Sequence, residues 1–176
     1  MFKKIVFISL MVSLLVFNIY AQAQDLNNED KPKDAYMMED IKQYLTSEEN
    51  NYFMLAQIKM EEFMVNNKDL ENYLDSVVQD AANGNKSKIN VDAMFAKLKM
   101  DIQGLISNLN TLNPPDSLKK YHQLNIEALE LLIKKLDPST LTNEAVQKRL
   151  DAEGDKIVQE TNQEIDNLVK MRQSQS

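Results

Sequence analysis

The chain has 176 residues, with 20 Lys+Arg against 27 Asp+Glu for a formal charge of −7, and it holds 10 Met, 3 Gly, one His and no Cys. Without cysteine there is no disulfide framework, thiolate metal site, iron–sulfur cluster, thiol nucleophile or lipid anchor on an N-terminal Cys. A single His cannot form a histidine metal cluster, three scattered Gly do not make a phosphate loop, and the acidic balance argues against a nucleic-acid partner.

Met1, Phe2, Lys3 and Lys4 form a short basic start. Ile5 to Tyr20 is an apolar stretch interrupted by Ser9, Ser13 and Asn18, and Ala21 and Ala23 supply the small residues that signal peptidase reads. This pattern predicts a signal peptide over 1–23, cleaved after Ala23, and a secreted or periplasmic destination. The apolar run falls short of the ~20 residues that span a bilayer, so no stable membrane insertion is expected after cleavage. Cleavage takes 23 residues from 176 and leaves 153; losing Lys3 and Lys4 leaves 18 cations against 27 carboxylates, a charge of −9.

Residues 24–33 are polar and contain Pro32, which reads as a flexible leader. Residues 34–172 carry apolar residues at helical spacing, and 173–176 form a disordered tail. Over 34–82 the pattern is helical throughout, and one straight helix of that length would extend about 74 Å. A first helix that long needs a break or a kink. Thr46 and Glu49 make a capping-box pattern at one possible position, and Asn66 to Asp69 is the other. Asn83 to Lys88 is a loop with Gly84 suited to closing a helix, and Asn90 is a suitable cap for the helix that follows.

The cleanest stripe is Val91, Met94, Phe95, Leu98, Ile102, Leu105, Ile106, Leu109 and Leu112, continuous over six turns. Asn113, Pro114 and Pro115 stop that helix, with Pro115 placed for the first turn of the next. The next helix repeats the pattern from Leu118 through Tyr121, Leu124 and Leu129 to Leu136, and Asp137 and Pro138 break it. The last runs from Val146 through Leu150, Ile157 and Ile165 to Leu168, with Gly154 marking a close helix contact. Short connections make neighbours antiparallel, so the expected fold is all-α: an up-and-down bundle of four helices, the first of them long.

The stretch Leu109 to His122 runs through Pro114, Pro115 and Asp116 to a His in the second turn of the following helix. It resembles a corner in small exported bacterial helical-bundle proteins of unknown function. The resemblance implies a tight helix–helix corner with the His placed to fix it, and it implies no activity.

No nucleophile–base pair is evident, and no G-x-S-x-G elbow exists, so the chain does not read as an enzyme. A di-iron bundle needs Glu-x-x-His on two helices; the residue three before His122 is Lys119. His122 reads as a boundary residue bonded to a carbonyl or carboxylate. The methionines read as core fillers, and no cofactor or metal is expected. The expected function is binding of a protein or an amphipathic ligand through a helix face or groove. Tyr36, Tyr44 and Tyr52 are the candidate anchors, with His122 beside them, because aromatics anchor interfaces. The alternative is a haem or copper carrier using His122 and a Met.

Overall fold

A computed structural model describes residues 41–69, 76, 79, 83, 91–141 and 143–174. Among these residues every regular element is helical: α1 (Ser47–Asn66), α2 (Val91–Asn110), α3 (Lys119–Lys135), the short α4 (Pro138–Leu141) and α5 (Glu144–Gln173), with a 3-10 turn (Asp116–Leu118) before α3. The expected leader, residues 84–88 of the expected loop, Asn90 and Tyr36 lie outside the described residues; of the expected tail, Gln173 is the last residue of α5 and Ser174 caps it, so the helix runs further than expected, and residues 175–176 lie outside.

Both candidate breaks in the first helical region are used. Thr46 is an extended N-cap whose hydroxyl accepts from the Glu49 backbone N–H (3.2 Å), while the Thr46 N–H donates to Glu49 Oε2 (2.7 Å). At the other end Asn67 closes α1, its N–H reaching the carbonyls of Phe63 and Met64. Each boundary has its own local chemistry, so neither excludes the other. The Pro-Pro corner also differs in detail from expectation. Pro115 precedes the 3-10 turn, and α3 begins only at Lys119. The extra turn buries Leu118 before the helix starts.

Helix α3 is the hub. Its Ile126, Leu129 and Leu132 pack with Met60 and Phe63 of α1 and with Phe95, Leu98, Ile102 and Leu105 of α2. Its Leu124, Ala128 and Leu131 pack with Leu150 and Ile157 of α5. At the corner end Tyr121 and Leu118 meet Tyr52 and Phe53 of α1 and Ile165, Leu168 and Val169 of α5. A helix covered from several sides buries residues off a single stripe, which explains Ile126 and Leu131. Lys135 is buried too, with its ammonium 3.0 Å from Asp151 on α5. Helix α5 spans about 45 Å at 1.5 Å per residue, enough to bring its last turn to the start of α1.

Gly104 sits on the exposed side of α2, and a Cβ added there meets no atom of the described residues within 4 Å. Glycine in a helix interior costs about 1 kcal/mol relative to alanine. Gly104→Ala is therefore expected to raise the unfolding free energy by about 0.5–1 kcal/mol in urea titration.

Candidate functional site

Three chain segments converge at the corner end. Glu49, only 1% exposed, is held by all of them. Arg172 Nη2 from the last turn of α5 donates to Glu49 Oε1 at 2.7 Å, and Ser117 Oγ from the 3-10 turn donates to the same oxygen at 2.6 Å. Oε2 accepts from the Thr46 backbone. Burial pushes the Glu49 carboxyl up, but the bonds from Ser117, Thr46 and Arg172 outweigh it and hold the group below the usual carboxylate range. An open polar cleft of about 510 Å³ adjoins this junction, with Glu48, Pro115, Asp116, Lys119 and Arg172 among its walls.

One turn further along α1, the Tyr52 hydroxyl lies 2.8 Å from His122 Nδ1. The rings of Tyr52, Phe53, His122 and Tyr121 meet edge to face at 5.3–5.9 Å between centroids. Burial raises the Tyr52 phenol, helped by the neighbouring Tyr121, so its proton stays on and is available to a neutral His122 ring. Burial also lowers the His122 pKa. The depressed pKa makes the unfolded chain bind the proton first, so stability falls as pH drops below the unfolded His value of about 6.5. Thermal unfolding midpoints are expected to decline from pH 8 to pH 5, and His122→Gln flattens that part of the profile.

Tyr52 faces the interior, so its ring is not offered to a partner; the same helix position that carries an anchor outward carries a core aromatic inward. Tyr44 is half-buried against the cluster around Tyr52 and Leu118. His122 bonds a phenol, not the carbonyl or carboxylate expected. For the carrier reading, Nδ1 is already engaged and only Nε2 is left for a ligand. Met60, Met64 and Met94 belong to the core between α1, α2 and α3. Among the described residues no group of three or more His or carboxylate side chains is placed to hold a metal ion.

Of the exposed large apolar side chains only Met171, beside Arg172 on α5, is at the corner end among the described residues; the others lie on α1 and α2. On α1, Met54, Ile58 and Val65 are 52%, 42% and 67% exposed, with Leu55 beside them. At 3.6 residues per turn these residues point away from Glu49, Tyr52, Met60 and Phe63, which face the core. Helix α1 is thus apolar on two opposite sides, one packed in the core and one exposed. A shallow groove of about 200 Å³ runs between α1 and α2, lined by Lys59, Glu62 and Phe63 on one side and Met100, Gly104 and Leu105 on the other. Met100 is 69% exposed.

No known family, curated protein or solved structure matches this chain. Its site therefore has to be read from its own residues. The outer face of α1 is not among the sequence expectations, because it carries no aromatic residue and the expected anchors were tyrosines. The signal was present in the apolar residues at 54, 55, 58 and 65, which fall outside the stripe formed by 49, 52, 53, 60 and 63. Among the described residues no helix is long and apolar enough to cross a membrane.

Proposed function

We propose that the protein is an exported, non-catalytic up-and-down bundle that binds another protein through the outer face of α1. The reading is supported by one observation above the rest: Met54, Leu55, Ile58 and Val65 leave apolar surface exposed on the side of α1 away from the core. Ile58 lies four residues from Met54 and three from Leu55, so these three neighbour one another on the helix surface, and apolar side chains grouped in this way favour contact with a partner. The N-terminal signal pattern supports export with cleavage after Ala23, and the corner resemblance is to exported proteins as well. The corner network of Glu49, Ser117 and Arg172 keeps α1 fixed, so the face is presented on a rigid support.

Affinity capture from the cell envelope and culture medium of the source organism tests this reading. Wild-type protein is expected to retain a partner that Ile58→Asp, with an unchanged circular dichroism spectrum, fails to retain. Equal retention by both proteins contradicts the assignment of the face.

A further inference from the structure

We propose that Met54 is a modification site: peroxide converts its thioether to a sulfoxide, and the sulfoxide withdraws the outer face of α1 from contact. The inference rests on the reading of α1 as the contact face and names how that face is regulated. The chain has no cysteine, so no thiol competes for an oxidant, and methionine is its oxidisable sulfur. The described methionines divide by exposure. Met60 is 2% exposed, and Met64 and Met94 are partly buried against the same core. Met54, Met100 and Met171 are exposed, and they make up three of the six exposed large apolar side chains among the described residues. Among these methionines, oxidant therefore reaches the surface thioethers before those that hold the helices together.

The reaction needs nothing from the protein beyond access. The Met54 sulfur attacks one oxygen of hydrogen peroxide, a sulfur–oxygen bond forms as the oxygen–oxygen bond breaks, and water leaves after proton transfer. The sulfur loses two electrons and the peroxide gains them, and a polar group stands where an apolar one was. Its effect depends on the neighbours, and the three exposed methionines differ in theirs. Met54 has Leu55 next to it and Ile58 one turn on, so the new oxygen enters a group of apolar side chains. Met100 has Lys97 one turn before it and Gln103 and Gly104 one turn after it, and Met171 stands between Lys170 and Arg172. Of the described methionines, only Met54 places its oxidation within the contact face. The fold is spared, because Met54 points away from the core that Tyr52, Phe53, Met60 and Phe63 face. A partner that covers the face then takes the sulfoxide oxygen out of water, which costs free energy unless the partner supplies a donor.

A phenyl-substituted resin serves as the probe, since it retains proteins through exposed apolar side chains. The purified protein is treated briefly with hydrogen peroxide, each methionine peptide is weighed by mass spectrometry, and the protein is eluted in a falling ammonium sulfate gradient. Every variant is compared with its own untreated form. Oxidised wild type is expected to elute earlier, with an unchanged circular dichroism spectrum and unfolding midpoint. Met100→Leu is expected to show the same shift. Met54→Leu, which keeps an apolar side chain that peroxide does not oxidise, is expected to lose most of it. A shift in Met54→Leu as large as in wild type, a Met54 that stays reduced, or a shift that comes with loss of fold overturns the proposal. Untreated Ile58→Asp tests the underlying reading separately, and it is expected to elute earlier than untreated wild type. Co-elution of those two contradicts the open face itself. Early elution of Ile58→Asp with no shift of the oxidised wild type removes the regulation and leaves the face in place.

Discussion

Ile102→Ala is expected to lower the unfolding free energy by about 3–4 kcal/mol, the upper part of the range for large-to-small core changes. Ile102 is 0% exposed and sits mid-way along α2, among Leu98, Leu105, Phe63 and Ile126. Its neighbours belong to three helices, so none can move into the vacated space without loosening its own contacts. The lost transfer energy and the cavity term then add. Ile102→Val removes one methylene and is expected to cost only about 1 kcal/mol. Met100→Ala, two residues away on the same helix but exposed, is expected to stay within about 0.5 kcal/mol. Urea unfolding of the three variants separates the two sides of α2 directly.

Glu49→Ala is expected to cost about 2–3 kcal/mol, below the roughly 3–5 kcal/mol of a fully buried pair because Arg172 keeps part of its surface in water. Arg172 is 27% exposed against 1% for Glu49. The carboxylate joins the start of α1, the 3-10 turn and the end of α5, so its loss strands donors from all three. The double variant with Arg172→Ala is expected to be less damaging than the two single effects added, since both changes remove the same contact between Glu49 and Arg172. The pH dependence follows from the lowered carboxyl. Its stabilisation is fully present above the unfolded Glu value of about 4.3 and disappears as pH falls through the lower folded value. The acid limb is thus expected to flatten in Glu49→Gln, in a window below the one governed by His122.

The sequence made local features legible and left those that depend on distant partners hidden. The helical stripe of α2 is visible because its apolar residues fall on one side, and the buried set Phe95, Leu98, Ile102, Leu105 and Leu109 follows it. The Thr46–Glu49 capping box was legible because both partners lie within one turn. Arg172 stands 123 positions from Glu49, and no spacing rule connects them. Helix α1 was ambiguous for a different reason. With apolar residues on two opposite sides, its periodicity does not say which side meets the core, so Tyr52 could be read as an outward anchor although it packs inward. Gly104 carries no signal in the sequence beyond a small helix penalty; the structure adds only that it stands on the exposed side of α2.

The central claim is that α1 turns one apolar side to the core and leaves the other open. Brief treatment with dilute hydrogen peroxide, followed by mass spectrometry of each methionine peptide, reads this most directly, because thioether oxidation follows exposure. Met54 and Met100 are expected to form sulfoxide rapidly while Met60, 2% exposed on the opposite side of the same helix as Met54, stays reduced. Protection of Met54 to the level of Met60 would contradict the account.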